Sequence, residues 1–327
     1  MNFNSFPKVE LHVHLDCCLS YEVVKVLNPA ISYETYRESF IAPPKCIDLA
    51  DYIKRAIKGF ELMQTESQLR LVTRDLFRQL QADHVIYVEI RFAPLQHTYQ
   101  GLVPEEVVEI VNDETLKCIS DYNIEASIIL CTLRHYSEEQ SMETVQLLQK
   151  YKGTLVSGFD IAADEAGYPI HNHIKAFEFA YAQDIPCTAH AGEAKGAESM
   201  WETLRHFHPH RIGHGVRCVE DESLMEYLLA EKIHLEVCPT SNIQTNVFDT
   251  MQQHAADRIF NKGISMSINT DARTISDVTL SEEYTLLSKQ FNWNVNHFKT
   301  CNLEAIQHAF TSLETKDKLV KIIQESY

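Results

Sequence analysis

Eight short runs rich in valine and isoleucine recur along this chain with amphipathic stretches between them, and that alternation constrains the fold more than any other feature. They lie at about residues 8–15, 84–93, 125–131, 155–162, 185–191, 211–216, 233–238 and 264–270. A strand followed by a helix, repeated, builds a parallel sheet, and eight such units suggest that the sheet closes into a (β/α)8 barrel. No internal repeat, low-complexity tract or linker interrupts the pattern, so residues 1–327 read as a single α/β barrel domain.

The connections are unequal. The first, residues 16–83, is far longer than an ordinary βα loop, so extra helices are expected there, covering the barrel mouth as a lid. LADYIKRAIKGFELM and residues 66–83 read as helices within it, and PEEVVEIVNDETLKCIS, with proline and acids in its first turn, as the helix after the second strand. After the eighth strand, EEYTLLSKQF, NLEAIQHAF and LETKDKLVKII form a helical tail.

Composition narrows the partners. With 327 residues, 45% apolar and 23% charged, the chain can bury a large core. A formal charge of −17 with no basic block argues against nucleic acid and against an anionic membrane surface, and favours a neutral or cationic small substrate. The amino terminus lacks a basic segment followed by an apolar run, and no stretch approaches a membrane span, so the chain reads as cytoplasmic. Nine cysteines without a CxxC pair read as reduced thiols, mostly small core residues.

The polar residues that stand out all fall at the carboxyl ends of the expected strands, which converge on one face of a barrel. His12 and His14 sit two apart on the first strand and so point to the same side. With His190 from the fifth strand and Asp271 from the eighth they make a three-nitrogen, one-oxygen set suited to Zn²⁺, with a position left for water. Blander readings exist for each. A lone barrel histidine is usually a hydrogen-bonded core residue, Asp271 can cap a following helix, Glu193 can open the helix near KGAESMWETL, and Asp16 can form a turn. Two glycines flank His214 in RIGHGV, where small residues let a substrate approach. Cys17 and Cys18 follow the histidine strand, where a thiolate competes for metal, but the donor set is complete without them.

PKVELHVHLD, YVEIRFAP, GFDIAADE, HAGE, RIGHG, CPTSN and NTD, in that order, resemble the motifs of the adenosine deaminase family. The resemblance runs from the first strand to about residue 272. It implies a zinc-dependent hydrolytic deaminase acting on a 6-aminopurine nucleoside. His12, His14, His190 and Asp271 would ligate one zinc, Glu193 would donate a proton, and His214 would partner the attacking water. His14, Asp16, Ala163 and Glu193 would face the substrate, with Asp16 meeting the ribose. Zinc lowers the pKa of bound water toward ~7, so a nucleophile for C6 of the purine exists at neutral pH. Attack at C6 builds basicity on N1, which is where an acid such as Glu193 is needed.

The chain departs from the family pattern at three places. Cys17 stands where glycine is common after LD, Ala163 replaces the glycine of LAGDE, and Ala272 replaces the second aspartate of NTDD, which in the family meets the purine N7. Losing that acceptor removes a hydrogen bond worth on the order of 1–3 kcal/mol, and Arg273 next door is a candidate replacement. Leu49, Tyr52 and Ala56 resemble the family's apolar gate, although core packing explains the same spacing. Asp164 and Glu165 are expected to bind neighbouring backbone or the ribose side, and Cys238 to be a buried strand residue beside the polar Ser241 and Asn242. The same metal chemistry also serves adenine, a 5′-modified adenosine such as methylthioadenosine, or aminodeoxyfutalosine. A catalytically silent binding protein is the reading from another class, and retention of every ligand, acid and base argues against it.

Overall fold

The computed structural model describes residues 3–327. Its strands fall on the apolar runs, with β3 alone running two residues past its run: β1 Lys8–His14, β2 Val85–Phe92, β3 Glu125–Leu133, β4 Val156–Ala162, β5 Thr188–Ala191, β6 Arg211–His214, β7 His234–Val237 and β8 Met266–Ile268. All ladders are parallel, β1 to β4 in one consecutive set and β5 to β8 in another. Two seams close the ring. Phe159 N–H donates to the Pro186 carbonyl at 2.9 Å, joining β4 to the approach of β5. At the other, His14 N–H donates to the Asp271 carbonyl at 2.8 Å and Asp271 N–H to the His12 carbonyl at 3.0 Å. Closure of the barrel therefore sets three of the expected metal ligands side by side.

Strands β5 to β8 are shorter than their apolar runs, and left-handed backbone recurs at or just past the strand ends. His214 ends β6 at φ 60°, and Asp271 follows β8 at φ 63°. Ala163 likewise follows β4 at φ 79°. Left-handed backbone costs a non-glycine residue about 1–2 kcal/mol, a strain held here by the surrounding packing at the mouth.

The long first connection holds five helices: Tyr21–Leu27, Tyr33–Phe40, Leu49–Ile53, Ala56–Glu61 and Glu66–Ala82. The single helix expected over LADYIKRAIKGFELM is broken at Lys54 and Arg55. The break lets the second half lie on the turn after β1, so close that a Cβ at Gly59 would stand 2.1 Å from the Asp16 carbonyl oxygen. The tail folds as helices Leu280–Phe291, Val295–His308 and Leu313–Ser326, the first begun by a capping box between Thr279 and Glu282. No helix among the described residues is long and apolar enough to cross a membrane, and all nine cysteines are free thiols.

Charge runs through the barrel interior. Arg91 and Arg211 are fully buried. Arg91 pairs with Asp160 at 2.9 Å and Glu236 at 2.7 Å, and Arg211 pairs with Glu236 at 2.7 Å and with Glu89. Deleting one partner of such a set leaves a buried charge uncompensated, typically at a cost of about 3–5 kcal/mol.

Candidate metal centre and pocket

Five side chains meet at the carboxyl end of the barrel. His12, His190, His214 and Asp271 offer donor atoms that all lie within 4.8 Å of one another. His14 joins them from the side, its Nε2 3.2 Å from His190 Nε2 and 3.5 Å from Asp271 Oδ1. The inner nitrogen of His12 is buried with no hydrogen-bond partner, although Asp271 Oδ1 lies 3.4 Å away. An orphaned imidazole nitrogen aimed at a carboxylate and three other imidazoles fits a bound cation. The outer nitrogens are held by carboxylates: His12 Nδ1 meets Glu236 at 2.9 Å, and His190 Nδ1 meets Asp160 at 3.1 Å. Orientation of ligand imidazoles by carboxylates is the usual second layer of a metal site, and here Arg91 ties the two carboxylates together. Sequence reasoning missed this layer. Its only trace was an acid or arginine on the inward positions of apolar strands.

Of the two glycines that flank His214, Gly213 makes room for the imidazoles. A Cβ at Gly213 would stand 3.1 Å from His12 Cε1 and 3.3 Å from His190, so the rings fit only because that position is bare. Gly215, at φ 68°, packs against Leu235 and Ile212.

Short helix Pro239–Gln244, directly after β7, reaches toward the same centre. Ser241 Oγ donates to Asp271 Oδ2 at 2.7 Å, and the Asn242 side chain meets His214 Nδ1 at 3.1 Å. Just past its end, Thr245 Oγ1 donates to Glu193 Oε1 at 3.2 Å. Asp271 therefore orients through Ser241 and caps no helix, since the next one begins at Leu280. Glu193 is 3% exposed, faces the pocket and lies ahead of the helix that starts at Ala197. Glu165 accepts hydrogen bonds from Gly192, Glu193 and Lys195 backbone at 2.8–3.0 Å and from Ser199 at 2.6 Å, holding the HAGE loop as expected of it.

A buried acid supports the amino end of helix Pro239–Gln244. Glu283 Oε1 accepts from Thr240 N–H at 2.9 Å, whereas Oε2 has no partner. Burial, opposed by the Thr240 hydrogen bond and aided by Glu10 and Glu282, pushes this carboxyl up to about 8 from 4.5. The fold thus holds the neutral acid. Its contribution to stability is full below about pH 4.5 and is lost as pH rises through 8, because the unfolded chain ionises first. Glu283→Gln, neutral throughout, is expected to match the parent near pH 5 and exceed it at pH 8 by on the order of a few kcal/mol in urea unfolding. A constant difference across that range would place the charge elsewhere.

Electrostatics separate the reactive groups. Burial, with Asp271 and Glu165 adding negative charge, holds the Glu193 carboxyl well above its ordinary range. Burial keeps the His214 imidazole well below its usual value, and burial with the neighbouring imidazoles brings His14 down to about 3. Burial alone would raise Asp271, but the imidazoles around it, His12 Nε2 at 3.4 Å among them, hold it well below the carboxylate norm. Imidazoles held neutral at His14 and His214, an ionised aspartate and a protonated glutamic acid suit metal binding and acid catalysis.

The centre forms one end of an apolar chamber. Cys17, Leu49, Tyr52, Ile53, Ala56 and Phe60 line its lid side together with Ala272 and Ile275, and Ala93, Cys131, Leu133, Ala162 and Ala163 its barrel side. His14, Asp16, Asp164, His190, Glu193, His214 and Asp271 supply polar atoms. Tyr52 OH bonds Ser276 Oγ at 2.6 Å, which pins the lid to the loop carrying Ala272. Arg273 does not reach the pocket. Its guanidinium is buried between Glu10, at 2.7 Å, and Asp83, at 2.5 Å, so it cannot stand in for the aspartate missing at 272. Cys18 is turned away, its Sγ accepting from Arg273 N–H at 3.4 Å, and neither Cys17 nor Cys18 belongs to the donor cluster.

Imidazoles and a carboxylate gathered at the carboxyl ends of barrel strands, beside a buried acid, suit metal-assisted hydrolysis, and this arrangement defines the class as a metal-dependent hydrolase barrel. Comparison with known proteins narrows it: the adenosine deaminase family profile matches residues 7–326, and the chain belongs to that family. An adenosine deaminase of Clostridium acetobutylicum is 34% identical over 97% of both chains, and one of Enterococcus faecalis 31% identical over 98% of this chain and 97% of its own. Among solved structures, an adenine deaminase of Arthrobacter aurescens superposes with a TM-score of 0.90 at 26% identity, covering 98% of each chain. An Arabidopsis N6-mAMP deaminase shares the fold, with a TM-score of 0.88 at 24% identity over 99% of each.

Proposed function

We propose that this chain hydrolytically deaminates an uncharged 6-aminopurine nucleoside, adenosine or deoxyadenosine, to the 6-oxo product and ammonia. The observation that carries the reading is the placement of Glu193 Oε2 3.6 Å from His214 Nε2, at the donor-lined end of a largely apolar chamber. His12, His14, His190 and Asp271 would hold one zinc ion. When bound, the zinc acidifies a water toward a pKa of ~7. His214 and Asp271 would orient the attacking water, and Glu193 would give its proton to N1 as C6 becomes tetrahedral. Asp16 and the backbone at Ala163 face the remainder of the nucleoside.

Charge supports a nucleoside over a nucleotide. No lysine or arginine is among the lining residues, while Asp16, Asp164, Glu193 and Asp271 are. Nearby arginines are engaged elsewhere, Arg134 with the His190 carbonyl at 2.7 Å and Arg217 with Glu220 at 2.7 Å. A phosphate would enter a pocket of its own sign without a partner.

The test is ammonia release and the ultraviolet change of adenine to hypoxanthine from the zinc-loaded protein, with adenosine, deoxyadenosine, adenine, methylthioadenosine, aminodeoxyfutalosine and AMP compared by kcat/KM. Adenosine or deoxyadenosine should lead and AMP should be poorest. A 5′-modified compound or the free base ahead by tenfold would replace this reading, and no turnover with any purine, without bound zinc, would return the silent barrel.

A further inference from the structure

His254 is 3% exposed, lies outside the donor cluster and has no part in the reaction outlined above. Its hydrogen bonds nevertheless lead to the centre. Ala256 N–H donates to His254 Nδ1 at 3.1 Å, and since a backbone amide can only donate, Nδ1 carries no hydrogen. His254 is then the neutral tautomer with its hydrogen on Nε2, which donates to Asn242 Oδ1 at 3.2 Å. That contact orients the amide, so Asn242 Nδ2 is the atom facing His214 Nδ1 at 3.1 Å, and it donates there. Each link follows from the one before it. The remaining hydrogen of neutral His214 must sit on Nε2.

We propose that His254 is a positioning residue which, through Asn242, locks His214 in the Nε2–H tautomer. The chain of bonds starts at backbone and is buried throughout, so no water competes for either nitrogen. Two consequences follow at the centre. A ring nitrogen that bears hydrogen is no metal ligand, so of the five side chains that meet there His12, His14, His190 and Asp271 are left to hold the cation. His214 can donate to the attacking water but cannot take its proton, which leaves Asp271 as the acceptor. The catalytic consequence rests on the deaminase reading, whereas the tautomer does not.

The experiment reads both. In zinc-loaded enzyme carrying ¹⁵N-histidine, with the His214 signals assigned by their loss in His214→Asn, Nε2 should show a directly bound hydrogen and Nδ1 none. Hydrogen on Nδ1 overturns the proposal. Asn242→Asp replaces the donor by an acceptor, which forces the opposite tautomer. It is expected to move the hydrogen to Nδ1 and lower kcat at least ~10²-fold, with KM within about threefold and zinc retained, since a wrong tautomer alone can cost ~10⁴ in a histidine-dependent hydrolase. His254→Leu should lower kcat about tenfold, and His254→Gln, whose amide N–H falls near the place of Nε2, should recover most of it. If His254→Leu lowers the melting temperature but leaves the His214 spectrum and kcat unchanged, His254 only fills space and the proposal fails. A wild-type protein that shows the Nε2–H spectrum yet deaminates no purine would sustain the tautomer lock and sink the deaminase reading instead.

Discussion

Glutamine in place of Glu193 is expected to lower kcat by at least ~10² while leaving zinc content and substrate binding nearly intact. The substitution keeps the shape of a side chain that is 3% exposed and whose Oε1 is held by Thr245. It removes the one thing an amide cannot do at neutral pH, which is to give up a proton to a ring nitrogen. Burial and the Asp271 and Glu165 carboxylates hold the acid protonated before substrate arrives, so the loss should fall on kcat rather than KM. Steady-state kinetics on protein with verified metal content measure it, and turnover equal to the parent would take Glu193 out of the mechanism.

Asp271→Ala should have the second large effect, striking metal affinity and rate together. Oδ1 lies among His12 and His14 at 3.4–3.5 Å, and Oδ2 takes the Ser241 hydroxyl at 2.7 Å. Alanine deletes a donor, strands Ser241 without its acceptor and removes the only carboxylate in the donor cluster. Loss of an outer-layer partner alone typically costs 10–100-fold in metal affinity, so a ligand should cost on the order of 10² or more. Competition with a chromogenic chelator gives the affinity, and added zinc should restore occupancy without restoring the rate. Full activity on zinc addition would mean that Asp271 only retains metal and takes no proton.

The alternation of β-branched runs with helical period carried all eight strands, because a parallel strand covered on both faces must be apolar along most of its length. His12 and His14 were legible for a related reason: a period of two puts both imidazoles on one face whatever the rest of the chain does. The long segment before Val85 announced its helices by length and periodicity, but the break at Lys54 and Arg55 did not show, since it answers to the approach of Gly59 to Asp16. Arg273 misled for the opposite reason. Beside Ala272 it looked available to a ligand, and only the fold shows Glu10 and Asp83 already holding it.

From the sequence alone the barrel, the strand-end donors and the resemblance to a deaminase family follow, because each depends on local period or on residues close together in the chain. The tertiary structure decided what depends on contacts across the ring: the seam that sets Asp271 against His12 and His14, the Arg91 pairing beneath two imidazoles, and the path from Ala256 through His254 and Asn242 to His214. A hydrogen bond is directional and short, so its partners exist only once the chain has closed. Residues 14 and 271 are 257 positions apart in sequence, yet in the fold His14 Nε2 lies 3.5 Å from Asp271 Oδ1.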